Sequence, residues 1–349
     1  SNSQKVLDLL FPDEVVFGPI STGELFKNQL NFFPMGQVFK NLVDKGLYNE
    51  EEQRWSGAPD LSATAITAHE NSLADFFNKI IECINNACGM VRPSRTWSTD
   101  SATCPLAGGG TARKPDMACW LTPGSEFDWR HLTTFAEVKN HGGKDKEKSS
   151  FIETAGKASC LLYMQDGHHA APCFHILGSN IHLTIFDHSG SLSTCGYDIN
   201  AQPYDFVCIL VGITSTSIEI LGFNTSIAWE WQECNGETVG IKTLDIHVDG
   251  IDLAIELNRV LFISNNLFGH GTMVWGGMMK NTQAKTREPV VVKDLWIDPL
   301  QKYTEGKILS ILNMHKIEGV PTLICEQQVK APNLSANAKS TVNSSTHFL

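Results

Sequence analysis

The chain has 349 residues, of which 42% are hydrophobic and 19% charged, the balance of a soluble globular protein with apolar material for more than one core. Its formal net charge of -11 argues against a broad, sequence-independent grip on nucleic-acid phosphates. Ten cysteines occur without a Cys-x-x-Cys pair, no apolar run reaches membrane-spanning length and no signal-peptide pattern opens the chain, so it reads as an intracellular protein, cytoplasmic or nuclear, with reduced thiols and no membrane segment.

Residues 1–60 form an N-terminal extension with one helical stretch within residues 25–47, because Phe39, Leu42, Val43 and Leu47 recur at about one turn. Gly57-Ala-Pro-Asp interrupts that pattern. Residues 69–84 then predict an amphipathic helix, with Leu73, Phe76, Phe77, Ile80, Ile81 and Ile84 on one face and Glu70 at its start. Residues 95–103 predict a strand. Ala107-Gly-Gly-Gly-Thr lacks the Gly-Lys-Ser/Thr ending of a phosphate-cradling loop and precedes a strand rather than a helix, so it reads as a plain connection.

Chemistry concentrates between Pro115 and Lys139. Asp116 opens one short apolar run, and Glu137 and Lys139 stand two residues apart in a second, on the same strand face, with Val138 pointing to the core. If the two runs pair, two carboxylates can share a divalent cation such as Mg²⁺ with an ammonium beside them. These residues resemble the Pro-Asp, Glu-x-Lys signature of the PD-(D/E)XK nuclease superfamily. That resemblance implies an α/β (α+β) fold, a mixed sheet flanked by helices, over residues 61–240. It also implies Asp116 and Glu137 as metal ligands, Lys139 as a transition-state or water-positioning group, and Glu70 as a further catalytic carboxylate. Lys139, Lys144, Lys146, Lys148 and Lys157 lie close together in sequence, but Glu137, Asp145, Glu147 and Glu153 nearly cancel them, so the group reads as a solvated segment and nucleic acid is not a favoured partner.

Residues 148–164 permit a helix. Cys173-Phe-His-Ile-Leu and Ile181-His-Leu-Thr-Ile-Phe-Asp-His flank Gly178-Ser-Asn, a hairpin signal. His168, His169, Cys173 and His175 lack a second ligand pair of recognised spacing and do not read as a zinc site. Residues 203–213 predict a buried helix, and residues 218–223 and 227–231 predict two strands.

A different pattern occupies residues 241–330. Strand-like runs at 251–257 and 260–263 lead into Leu267-Phe-Gly-His-Gly-Thr-Met-Val-Trp. Val290-Val-Val-Lys-Asp follows, then a helical stretch from Glu305, then Gly319-Val-Pro-Thr-Leu-Ile-Cys as a further strand. A Gly-x-Gly turn between strands, a lysine on the next apolar strand and a glutamate one helix later is the order of a protein-kinase N-lobe, an antiparallel sheet plus one helix. Gly269 and Gly271 would let the backbone cover the phosphates of ATP, and Lys293 would hold the α and β phosphates while pairing with Glu305.

Phe268-Gly-His-Gly-Thr, Val292-Lys-Asp-Leu-Trp, Glu305-Gly-Lys-Ile-Leu and Gly319-Val-Pro, together with the upstream Arg54-Trp, Lys114-Pro-Asp, Glu137-Val-Lys and Phe186-Asp-His-Ser-Gly, resemble the fungal-type protein kinase family. The resemblance implies transfer of phosphate from ATP to protein Ser/Thr by full-length relatives, with the upstream region a regulatory or interaction module. Val274 stands where a kinase loop has its third glycine. No His-Arg-Asp and no Asp-Phe-Gly occurs anywhere in the 349 residues. The sequence therefore reads as a truncated member with ATP binding weak or lost, whose partners are other proteins or a separate catalytic lobe. Residues 331–349, rich in Ser, Thr and Asn, read as a disordered tail.

Overall fold

A computed structural model describes residues 30, 33–60, 66–88, 95–120, 128–140, 144–165, 167–234, 237–248, 251–281, 286–297, 301–330 and 343–348. The expected helix within residues 25–47 is α1 (Met35–Asp44), and the helix expected from residue 69 is α2 (Ile66–Ala87). The apolar stripe of α2 explains its position, since Leu73, Phe77, Ile80 and Ile84 are completely buried. A two-stranded ribbon, β1 (Tyr48–Asn49) and β2 (Arg54–Trp55), joins the helices to the rest through Trp55, whose indole N–H donates to the carbonyl of Ile199 at 2.6 Å.

The first large sheet runs in the order β3 (Thr96–Ser98), β4 (Met117–Trp120), β5 (Leu132–Lys139), β6 (Ala170–Leu177), β7 (Asn180–Asp187) and β8 (Gly190–Ser193), with β9 (Tyr197–Asp198) on β7. The pairs are antiparallel except β5 with β6, which run parallel because α3 (Lys144–Met164) carries the chain back across the sheet. Alternate residues of each strand serve opposite cores. Met117, Cys119, Ala136, Val138, Phe174 and Ile176 pack with α1, α2 and α4 (Pro203–Thr214), whereas Ala118, Trp120, Phe135, Ala171 and Cys173 pack with Phe151, Ala155, Ala158, Leu161 and Leu162 of α3. The expected order over residues 66–177, a helix, three strands, a helix and a strand, is present. Assignment of that order to a nuclease superfamily rests on the sequence resemblance.

The second large sheet runs β10 (Ile227–Cys234), β11 (Glu237–Val248), β12 (Ile251–Ile263), β13 (Met273–Asn281), β14 (Thr286–Ile297), β16 (Asn343–Phe348), β15 (Glu326–Lys330), antiparallel throughout. The two runs expected at 251–257 and 260–263 are one strand, β12, with irregularities between Leu257 and Arg259 and between Val260 and Phe262. Leu244, Ile255, Leu257, Met273, Trp275, Val290 and Val292 form the core of this unit. Helix α5 (Glu305–Met314) begins at Thr304, whose hydroxyl accepts the N–H of Lys307 at 3.2 Å.

Four expectations change. Residues 218–223 form no strand: Ile218–Leu221 is a 3-10 turn closed by Gly222, whose N–H bonds to Glu219. Strand β10 already belongs to the second sheet, upstream of the boundary drawn after residue 240. The strand after α5 starts at Glu326 rather than within residues 319–325. In the polar tail, residues 331–342 and 349 lie outside the described residues, but β16 pairs with β14 and β15, because an open sheet edge can be satisfied by the backbone of a polar segment. The described cysteines form no disulfide, and no helix among the described residues is long and apolar enough to cross a membrane.

Gly222 adopts φ +93° and lies so close to β6 that an added Cβ would stand 2.4 Å from the carbonyl oxygen of Ala170. Gly222→Ala should therefore lower stability by at least about 1–3 kcal/mol, through backbone strain and a clash that cannot relax into a side chain, as read by chemical denaturation.

Candidate functional site

Asp116, Glu137 and Lys139 come together at the edge of the α3-facing side of the first sheet. Antiparallel pairing of β4 with β5 sets Met117 opposite Ala136, which places Asp116 next to the end of β5. Its Oδ2 accepts the N–H of Val138 at 2.8 Å and lies 3.6 Å from the ammonium of Lys139. Lys139 Nζ is also 3.6 Å from Glu137 Oε2 and 3.1 Å from Glu153 Oε2.

A second ammonium enters from above. Lys157 on α3 donates to Glu137 Oε1 and, at 3.3 Å, to Glu153 Oε1 one helical turn away. Glu137 is wholly buried and Lys157 is 2% exposed. The lysines read in sequence as a solvated segment are thus divided: Lys157 is a buried ion-pair partner and Lys139 a partly exposed one. The reason is the crossover, which turns one face of α3 onto β5.

Burial, with Asp116 next, pushes the carboxyl of Glu70 up to about 7. Burial likewise raises Glu137 above the ordinary carboxylate value, against the pull of Lys157. Burial acts to raise Glu153 and to lower Lys139, but in both cases the opposite charges win. Lys157 and Lys139 hold Glu153 at about 2, and Asp116, Glu137 and Glu153 hold Lys139 above the ordinary lysine value.

A divalent cation needs several oxygens converging on one open position. Here Glu137 Oε1 and both oxygens of Glu153 are engaged by ammonium groups, and Asp116 Oδ2 by a backbone N–H. No group of three or more His, Cys, Asp or Glu side chains among the described residues is arranged to hold a metal ion. The residues do not fit the Mg²⁺ expected at Asp116 and Glu137. The histidines also lie apart: His168 bonds through Nε2 to the carbonyl of Leu221 at 2.7 Å, and His175 stacks on His182 with ring centroids 4.5 Å apart.

The second unit brings Lys293 and Glu305 together. Lys293 on β14 pairs in register with Val274, and its ammonium contacts Glu305 Oε2 in the first turn of α5, where a carboxylate also suits the positive end of the helix dipole. Asp294 points to the other face of β14. Its Oδ2 accepts from His169 Nε2 of the first unit at 3.3 Å, and it is buried.

The loop between β12 and β13, with Gly269 and Gly271, lies on the first unit. Gly269 donates to the carbonyl of His188 at 2.8 Å, and His188 Nδ1 donates to the carbonyl of Leu267 at 2.8 Å. Asp187 shapes the turn carrying His188 by accepting the N–H groups of Ser189 and Gly190 at 2.7 and 2.8 Å. Gly271 adopts φ +46°, and a Cβ there would stand 2.2 Å from the His188 ring. Leu267 and Phe268 pack against the α3-side core, and Trp296 and His270 exchange N–H to carbonyl bonds at 2.8 and 3.0 Å.

A family model described as Fungal protein kinase matches residues 120–348, well over half of the chain. The chain belongs to the fungal protein kinase family. No curated protein and no solved structure matches it. The match spans β5 to β16 and so takes in part of the first unit, with Glu137, and the second unit, with Lys293 and Glu305. Membership indicates a kinase-like function and suggests use of ATP and Mg²⁺.

Sequence reasoning assigned no role to Lys157, Glu153, His188, His169 or Asp294 in this member of the family. Two signals were available. Glu153 and Lys157 are spaced i, i+4, and Ser150, Thr154 and Lys157, which recur at helical spacing, are buried, so a polar stripe of α3 faces inward. His188 stands within Phe186-Asp-His-Ser-Gly, a stretch already quoted for the resemblance.

The raised carboxyl of Glu70 has a consequence for stability. Between its unfolded value near 4.5 and its folded value of about 7, the folded state holds more protons than the unfolded one, so this group's contribution to stability falls as pH rises through that window. Glu70→Gln cannot ionise. The melting temperature of Glu70→Gln minus that of the parent should therefore be more positive at pH 8 than at pH 5, and a difference that does not change with pH would contradict this assignment.

Proposed function

We propose that the second unit is the nucleotide-gripping part of a protein kinase, and that the first unit is a non-catalytic module that holds its glycine-bearing loop. The observation that carries this reading is the Lys293–Glu305 pair. A lysine on an apolar strand is fixed by the first carboxylate of the following helix, on the opposite strand face from the interface residue Asp294. An ammonium held this way is positioned to bind the α and β phosphates of a nucleotide, and Glu305 would keep it charged and oriented. When bound, ATP supplies the phosphoryl group and its Mg²⁺ neutralises the phosphate charge.

A groove of about 470 Å³ lies across the same sheet, lined by Arg259, Leu261, Gly276, Gly277, Pro289 and Val291. Val291 is two residues before Lys293 and so shares its face. An apolar groove of this size beside a phosphate-binding lysine suits a planar base. For the loop, the contacts of His188 and the packing of Leu267 and Phe268 support a scaffolding role for the first unit. In full-length relatives the reaction would be phosphate transfer to Ser or Thr of a protein. The 349 residues contain neither a His-Arg-Asp base nor an Asp-Phe-Gly metal ligand, so by themselves they bind nucleotide without transferring phosphate.

Titration with a fluorescent ATP analogue tests the reading. Lys293→Met removes a charged partner of the phosphates worth about 1.5–3 kcal/mol, so the affinity should fall about 10- to 100-fold, while incubation of the parent chain with labelled ATP should incorporate no phosphate. Equal affinity of parent and Lys293→Met would contradict the assignment of Lys293, and phosphate incorporation lost in Lys293→Met would contradict the non-transferring one.

A further inference from the structure

We propose that the ammonium of Lys157 is the resident cation of the carboxylate cluster in the first unit, occupying the place a divalent metal would take, so that the cluster becomes a site for a hard divalent cation only when that ammonium is removed. Three features of the geometry support this. Lys157 bridges the two carboxylates that would otherwise be the natural bidentate partners of a metal, reaching Glu137 Oε1 and Glu153 Oε1 from a single nitrogen. It does so while 2% exposed, against a glutamate that is wholly buried, so its charge has no solvent to escape to. Glu137 Oε2, also buried, accepts no hydrogen bond among the described residues, and the Lys139 ammonium lies 3.6 Å from it.

A buried ammonium and a dication compete for the same oxygens. Adding a dication would place it beside two like charges, Lys139 and Lys157, and would require the second to leave its carboxylates for an interior with nothing to replace them. With Lys157 neutral, the balance reverses. Asp116, Glu137 and Glu153 then face one ammonium, that of Lys139, with Glu70 close enough to Asp116 for their charges to interact. Glu137 of β5 and Glu153 of α3, the two carboxylates that Lys157 bridges, each then have Oε1 released, and two carboxylates completed by water is a donor set of the kind that magnesium and manganese take. This inference concerns the first unit and does not depend on nucleotide binding by the second.

The test is titration of the full chain with Mn²⁺, followed by electron paramagnetic resonance of the free ion and by the melting temperature. The parent should take up no Mn²⁺ beyond a Glu137→Gln control and should melt at the same temperature with and without it. Lys157→Met, which keeps the length of the side chain and drops its charge, should gain one Mn²⁺ site at least about 10-fold tighter than any in the parent, with a higher melting temperature in Mn²⁺; that gain should vanish in Lys157→Met/Glu137→Gln. Lys157→Arg keeps a cation in place and should remain without the site. If Lys157→Met is unfolded alone, folding on addition of Mn²⁺ supports the proposal, and remaining unfolded in Mn²⁺ overturns it. Mn²⁺ uptake by the parent that is lost in Glu137→Gln, or uptake by Lys157→Met no tighter than the parent's, would also overturn it.

Discussion

The buried contact between Lys157 and Glu137 constrains the first unit more than any other interaction in it. Each charge loses several kcal/mol of hydration on burial, and the pair is tolerable only because both partners are present and further hydrogen-bonding groups stand nearby. That requirement fixes helix α3 over strand β5, since Glu137 lies on the α3-facing side of the sheet and Lys157 must reach it. With α3 so placed, the chain returns to lay β6 parallel to β5, and the hydrophobic residues of α3 close the core above Phe135, Cys173 and Phe186. The same contact answers the chemistry expected from the Pro-Asp, Glu-x-Lys stretch. The carboxylates do converge, but an ammonium from the crossover helix sits among them.

The two units communicate through histidines. His188 is held in a tight turn by Asp187 and both accepts from and donates to the glycine loop, while His169 meets Asp294 one residue from Lys293 on β14. Strand alternation separates these tasks: Asp294 turns toward the first unit and Lys293 toward Glu305. The glycines of the loop therefore have a structural demand of their own, because Gly271 must fit against the His188 ring. The first unit thus bears on the second sheet at the loop that carries Gly269 and Gly271.

Much of this organisation was legible in the sequence. Six apolar residues at helical spacing marked α2, the Gly178-Ser-Asn turn marked the β6–β7 hairpin, and Glu137-Val-Lys showed which residues share a face. What escaped notice has physical causes. Residues 218–223 have the apolar content of a strand, but Gly222 is required in a left-handed conformation against Ala170, and a local pattern cannot report a contact 52 positions away. Strand β16 is polar and gave no periodic signal, since its place in the sheet depends on backbone hydrogen bonds to β14 and β15. Lys157 was grouped with neighbouring lysines because charge counts along the chain do not distinguish a helix face turned to solvent from one turned to a buried glutamate. The PD-(D/E)XK stretch illustrates the same limit, as the motif residues assemble while the residue that decides their chemistry lies 18 positions beyond Lys139.

A double-mutant cycle on Glu137 and Lys157 tests the central claim most directly. Urea denaturation of the parent, Glu137→Gln, Lys157→Met and the double variant gives the coupling between the two side chains. If the pair organises the unit as described, each single change should cost about 3–5 kcal/mol, because it strands a buried charge or its partner, and the double variant should cost clearly less than the sum. Costs that simply add, or single changes within about 0.5 kcal/mol of the parent, would contradict the account.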